Sequence, residues 1–538
     1  MRSTRVTAIF VSIAVSWAVS TSRSAEPIPT ESGLISGAAA GHAAEVQAYK
    51  GIPFAAPPVG VLRWKPPQPV SPWKGVRACT EYGPWCPQPK STIIRIAPSG
   101  DRQSEDCLYL NVWTAAKEAA EKRPGMVWIH GGGWTTGSGA ALIYDGTVLA
   151  RQGAVVVTIN YRLGPLGFFA HPLLSKESPQ GVSGNYGHLD QIAALQWVQK
   201  NIAAFGGDPA CVTIFGESAG AGSVCRLLVS PPAKGLFQRA IVESGSGYGF
   251  NRRLRETRGG QESMEKVGQD LAAKLGCDKA ADPLAALRVK SVAELLAASE
   301  PAQGLYGKGV HYAPIIDGWA IPDDPGDMFT AGKQYSVPLL IGTNADEGTL
   351  FVPQMPVQHV AGYQWMVRSL YSDKADEMLK LVPCDDDQQV KAALGRLSTI
   401  QSFVSPARMA AKAMSRKQAK TFLYHFTRVA PALAKRGLGA THTAELPYVF
   451  GTLPTGPAYE EQDRRLAATI GAYWVQFAKT GDPNVKGLPQ WPAYDAAGDQ
   501  YLELGDKVQA GHGLYREACD LLEHVVAQRR AGQRADER

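Results

Sequence analysis

No two of the eight cysteines in this 538-residue chain are spaced as CxxC, and none stands with histidine at zinc-site intervals. No metal centre is expected on that ground. Charge is sparse too. Asp, Glu, Lys and Arg make up 19% of the residues, and the net charge of +6 is spread over the whole length. No long Lys/Arg run gathers it on one face, which argues for an ordinary solvated surface and against a nucleic-acid partner. Internal repeats, low-complexity tracts and composition breaks are missing as well, which speaks against a repeat architecture.

Long apolar runs are scarce. The first, Val6 to Val19, follows Arg2 and Arg5 and precedes the small residues Ser20 to Ala25. It is shorter than the ~20 residues of a membrane span, and the order of basic start, short apolar core and small residues is that of a signal peptide. Residues 1–25 are therefore expected to be a leader, and the protein to be secreted or periplasmic. No second run of spanning length follows, so no stable membrane span is expected after cleavage. The polar C-terminus also excludes a lipid-anchor signal. A single domain over residues 26–525 is expected, with a polar tail over 526–538.

What is present alternates between strand and helix. Leu108–Trp113, Met126–His130, Ala154–Ile159, Cys211–Phe215, Val337–Gly342 and Thr421–Phe426 are short apolar runs, and the AVVVTI segment suits a buried parallel sheet. Leu189–Ile202 carries apolar residues at helical spacing, with Ser183 or Asn185 placed to cap it. Arg464–Phe477 also reads as a helix. Residues 51–69 are rich in Gly and Pro and read as irregular chain. Together these predict an α/β architecture.

Two motifs carry chemistry. Gly216-Glu217-Ser218-Ala219-Gly220 is G-x-S-x-G directly after an apolar strand. On such a strand-to-helix turn a serine hydroxyl is lifted above the sheet, and the helix N-terminus aims its dipole at the same point. The second motif, His130-Gly131-Gly132-Gly133, ends another apolar strand. The N–H groups of Gly132, Gly133 and Ala219 are the predicted oxyanion donors. A serine nucleophile needs a base and an orienting acid, in the chain order Ser, Asp/Glu, His. Six histidines follow Ser218: His311, His359, His425, His442, His512 and His524. His442 sits in a turn-like context suited to a loop, and His425 within an apolar strand reads as a core residue. Asp346 and Glu347 both follow the strand Val337–Gly342, and the residues alone do not separate them.

At these positions the chain resembles the type-B carboxylesterase and cholinesterase family. The resemblance rests on Glu105 to Asn111, His130 to Trp134, Asn160-Tyr161-Arg162, Gly184 to Gln191, Phe205 to Pro209, Gly216 to Ala221 and Glu445 to Tyr448, in the family's order. It covers nearly the whole mature chain. It implies the α/β-hydrolase fold, a central mostly parallel sheet flanked by helices, with large insertions forming a gorge. It also implies a small-molecule ester as substrate and no cofactor. The family's acid is the glutamate before glycine in D-E-G, here Glu347, and its base the histidine before E-L-P-Y, here His442. Similarity further implies a Cys86–Cys107 disulfide, buried ion pairs Arg63–Glu105 and Arg162–Asp190, and supporting roles for Glu217 and Ser244.

Substrate choice is less determined. Gly245 to Arg258 is rich in arginine. Arg252, Arg253 or Arg255 would favour an ester with an anionic, polycarboxylate acyl part of the fumonisin kind, since arginine forks suit carboxylates. A solvated basic loop and simple short-chain esters are the competing readings. The loop Pro89 to Gln103 lacks the tryptophan with which cholinesterases hold quaternary ammonium, which counts against choline esters. A lipase-like esterase and a non-catalytic adhesion member of the fold complete the alternatives.

Overall fold

The computed structural model describes residues 26–41, 43–90, 102–249, 251–417 and 419–536. The leader assigned to residues 1–25 lies outside them.

Eleven strands form one sheet: β1 (Ala38–Ala40), β2 (Ala43–Pro53), β3 (Tyr109–Thr114), β4 (Arg123–Ile129), β5 (Val155–Ile159), β6 (Gly207–Glu217), β7 (Arg239–Glu243), β8 (Leu339–Asn344), β9 (Thr421–Phe426), β10 (Gln500–Leu504) and β11 (Val508–His512). Their spatial order is β11-β10-β9-β8-β7-β6-β4-β5-β3-β2-β1. The run from β10 through β6 and β4 to β5 is parallel, and both margins are antiparallel. All six predicted strands fall in this sheet, shifted by a few residues at their ends. The fold is that of an α/β hydrolase.

Alternation along the strands fills two cores, because successive side chains leave opposite faces. Val127 and Ile129 of β4, Ile214 of β6, Val242 of β7 and Ile341 of β8 enter one core. Trp128, Phe215, Ile241 and Leu340 enter the other. Helix α1 (Tyr186–Asn201) covers the first face with Ile192, Leu195 and Val198. It starts three residues before the predicted start at Leu189. Asn185 does precede it, but its side chain does not cap the helix; it bonds the Ile315 carbonyl and Asp317 instead. Helix α2 (Ala219–Leu227) lies on the same face. Helix α3 (Glu461–Thr480) covers the second with Leu466, Ile470, Trp474 and Phe477.

Two expectations are revised. The polar C-terminal stretch is not all tail: helix α4 (Arg516–Asp536) runs through it. Arg530 bonds Asp327 at 2.9 Å and reaches Asp324 at 3.6 Å, giving a charged segment a docking surface. The Cys86–Cys107 bridge is not formed, since all eight cysteines are free thiols. Cys107 instead hydrogen-bonds Cys86, and that contact together with burial holds its thiol well above the ordinary range.

The two implied ion pairs are present, Arg162–Asp190 fully buried and Arg63–Glu105 partly so. Arg63 grips Glu105 through two bonds of 2.7 and 2.6 Å, and Arg162 grips Asp190 at 2.8 and 2.7 Å. Replacing Arg162 by Leu strands a fully buried carboxylate. The expected loss is about 3–5 kcal/mol, read as a lower urea midpoint. The double replacement Arg162→Leu/Asp190→Leu should recover most of it.

Candidate active site

The site lies at the carboxyl ends of β4, β6, β7 and β8. Ser218 follows β6 directly, with φ 56° and ψ −119°, a strained pair for a residue with a Cβ. Its N–H donates to the Glu243 carbonyl at 2.9 Å and its carbonyl accepts from Gly222, so the turn is held from both sides. The glycines of the motif are there for closeness. A Cβ on Gly220 would stand 1.9 Å from the Ile129 carbonyl oxygen, and one on Gly216 2.6 Å from the same atom.

The glycine loop after β4 closes over this turn. Gly132 has φ +106°, and a Cβ there would fall 2.1 Å from the Thr136 carbonyl oxygen. Thr135 and Thr136 both donate their N–H to the Gly132 carbonyl. Gly132, Gly133 and Ala219 spend their own N–H groups on no backbone carbonyl among the described residues. His130 is buried and stacked on Tyr161, and burial pushes its pKa down to about 4. It is a neutral packing group.

The imidazole of His442 stands between two carboxylates. Its Nδ1 is 2.6 Å from Glu347 Oε2 and its Nε2 is 3.0 Å from Glu217 Oε1. The Asn344 N–H donates to the other oxygen of Glu347 at 2.7 Å and fixes that carboxylate. Phe351 and Phe403 pack against the ring. Burial alone would lower the His442 pKa, but Glu217 and Glu347 outweigh it and hold the ring well above its ordinary value. Among the described residues no hydrogen bond joins Nε2 to Ser218; that nitrogen faces Glu217.

The two neighbouring acids are separated by where they point. Asp346 accepts the Ala440 N–H at 2.8 Å and pins the loop that carries the histidine. Glu347 reaches the ring. His425 is a buried strand residue edge-on to Tyr501 and Tyr515, and burial lowers its pKa to about 4. Ser244 is buried behind the turn with φ 52°. His188 is buried on Ser230 at 3.2 Å, and burial takes its pKa to about 3.

Sequence reading missed two acids. Glu243 is in register beside Glu217 on the parallel pair β6 and β7, so their side chains share a face. Trp474 donates to Glu243 at 2.8 Å. Glu445 accepts from Asn344 Nδ2. Burial, with Glu217 nearby, pushes Glu445 well above the carboxylate range. No local motif marks Glu243, which strand register brings to the site; Glu445 opens the E-L-P-Y segment, but only long-range packing shows that it faces Asn344.

Comparison with known proteins agrees with this geometry. The chain matches the sequence model described as "Carboxylesterase family" over residues 24–522. It is 38% identical to a fumonisin B1 esterase of Sphingopyxis macrogoltabida, over 89% of this chain and 87% of that protein. It is 37% identical to a para-nitrobenzyl esterase of Bacillus subtilis (strain 168), over 86% and 92%. A solved structure titled PNB esterase superposes with a TM-score of 0.76 at 34% identity, covering 92% of this chain and 99% of that one.

Glu243 yields a test by pH. Burial, with Glu217 beside it, raises its carboxyl to about 8. It is neutral when folded and ionised in the unfolded chain above about 4.3. Its stabilising contribution is thus full below that value and lost as pH rises to about 8. Glu243→Gln is neutral throughout, so its Tm should gain on the parent progressively across that window and then level off. A constant difference from acid to alkaline pH would mean that Glu243 is ionised in the fold.

Proposed function

Because this chain belongs to the carboxylesterase family and is a carboxylic ester hydrolase, we propose that it cleaves esters through an acyl-enzyme on Ser218, with His442 as base and Glu347 as its orienting acid. The observation that carries the reading is the 2.6 Å contact of Glu347 with His442 Nδ1, on a ring whose other nitrogen looks toward the turn bearing Ser218. Glu347 fixes the tautomer and favours the imidazolium that forms during reaction.

Nε2 must be free of its proton before it can take one from serine. Glu217, 3.0 Å away, is the acceptor at hand, and a small rotation then turns Nε2 from Glu217 to Ser218. As the Oγ–H proton passes to Nε2, Oγ bonds the ester carbonyl carbon. The carbonyl oxygen takes the negative charge, facing the N–H groups of Gly132, Gly133 and Ala219. Collapse breaks the bond to the alcohol oxygen, which leaves with the proton from Nε2. Water repeats the sequence and releases the acid.

The acyl part is proposed to be anionic. The fumonisin B1 esterase of Sphingopyxis macrogoltabida is a relative at 38% identity, and it supports this reading together with the arginine run. Arg253 is tied to Asp323 at 3.1 Å and Glu256 at 3.4 Å, and Arg255 lies 3.4 Å from Glu265. Arg252 pairs with no carboxylate among the described residues. Export rests on the leader pattern of residues 1–25 alone.

Ser218→Ala should lower kcat by roughly 10⁴–10⁶ with an unchanged melting curve; near-normal turnover would end the proposal. Glu217→Gln removes one of the two charges that raise His442. The acid limb of kcat/KM should then move to lower pH by roughly 1–3 units. A profile that stays in place would mean that Glu217 does not hold the ring.

A further inference from the structure

Two arginines near the turn that bears Ser218 form no direct ion pair among the described residues. The first is Arg226, two turns along α2 from Ser218 and buried. Its guanidinium folds back over Gly222, donating to the Gly222 carbonyl at 2.8 Å, and lies 5.0 Å from the centre of the Trp134 ring. Trp134 directly follows the glycine loop, and its Nε1 donates to Ser223 at 2.9 Å. Gly222 itself lies one turn, about 6 Å of rise, beyond Ser218. Among the described residues Arg226 touches no carboxylate. It donates to Asn251 Oδ1 at 2.5 Å, and Asn251 passes the interaction to Asp324 at 2.9 Å. Its Nε–H is buried without a partner. A buried cation relayed to its acid through an amide is costly to hold, and burial lowers its pKa to about 10.

The second cation is Arg252, the next residue after Asn251. Its half-buried side chain lies over Met264, with Nη1 3.4 Å from the sulfur. Met264 belongs to the cluster with Leu254, Tyr312 and Ile315 against which Trp134 packs. His311, whose pKa is lowered by burial and then by Arg252, and the exposed Lys308 lie on a neighbouring loop. That loop approaches the glycine motif, since a Cβ on Gly133 would be 4.0 Å from the Gly304 nitrogen. The nearby acids are already engaged: Asp323 and Glu256 with Arg253, Glu265 with Arg255, and Asp324 with Asn251. Ser218, Gly132, Gly133, Trp134, Gly245 and Asn251 are all partly open to solvent.

We propose that Arg252, backed by the buried charge of Arg226, is the group that binds a free carboxylate on the acyl portion of the ester, so that half-esters of dicarboxylic and polycarboxylic acids are the preferred substrate class. This assignment rests on the anionic-acyl reading above and names the residue responsible. A carboxylate over Arg252 gains a fork of N–H donors and replaces the counter-ion that the fold withholds. Arg253 and Arg255, already paired, have less to offer.

The test compares monoethyl glutarate with ethyl pentanoate, which have the same alcohol and acyl length but differ by one carboxylate. Acid release is followed for the full-length enzyme and for Arg252→Gln, Arg253→Gln and Arg226→Met. The expected result is a higher kcat/KM for the half-ester in the parent and a loss of roughly 10–100-fold on that substrate in Arg252→Gln. Turnover of ethyl pentanoate should stay within about twofold, and Arg253→Gln should keep the parent's ratio. Arg226→Met should lower the ratio too; if it fails to fold, the two surface variants still decide. A parent enzyme indifferent to the carboxylate would overturn the anionic-acyl reading itself. A parent that prefers the half-ester while Arg252→Gln keeps the preference would overturn only the assignment to Arg252. Equal losses in Arg252→Gln and Arg253→Gln would also overturn it, because a diffuse basic surface would then suffice.

Discussion

One buried imidazole between two carboxylates organises this site. His442 is hydrogen-bonded to Glu347 on one nitrogen and lies 3.0 Å from Glu217 on the other, and each carboxylate arrives from a different strand end. Burial disfavours the charged ring, and the two carboxylates reverse that balance. The same group of side chains contains more acids than one cation can neutralise. Burial first, and then the charge of Glu217, holds Glu243 and Glu445 above the usual carboxylate range.

The backbone supports this arrangement at some cost. Ser218 and Ser244 both occupy left-handed conformations at the ends of adjacent strands, each worth roughly 1–3 kcal/mol of strain. The parallel register of β6 and β7 and the close seating of Gly216 and Gly220 on the Ile129 carbonyl determine them. Two packed cores, one on each face of the sheet, leave these turns little room to relax. Rigid strand ends thus present a hydroxyl, a ring and a row of N–H groups in a partly open recess.

Much of this was legible in the chain. The apolar run before G-x-S-x-G and the glycines after Met126–His130 mark strand-to-turn geometry that few other residues permit. The alternation of strand and helix gave the architecture because buried parallel strands need continuous apolar runs. Local pattern could not choose among six histidines or between Asp346 and Glu347, since those choices depend on direction rather than composition. Resemblance chose His442 and Glu347, and the structure places them in contact. Glu243 was invisible because its partner Trp474 is distant in sequence and its neighbour Glu217 is set by register. The polar C-terminus misled, since Arg530 finds Asp327 across the fold.

The bracketed ring is most directly tested by NMR titration of histidine ring carbons, with the His442 signal identified by its loss in His442→Gln. The account predicts that this ring stays protonated well above the ordinary histidine value of about 6.5, while the buried His130 and His425 remain neutral at that pH. A His442 signal that titrates at or below that value would contradict the double-carboxylate bracket and the proton hand-off built on it.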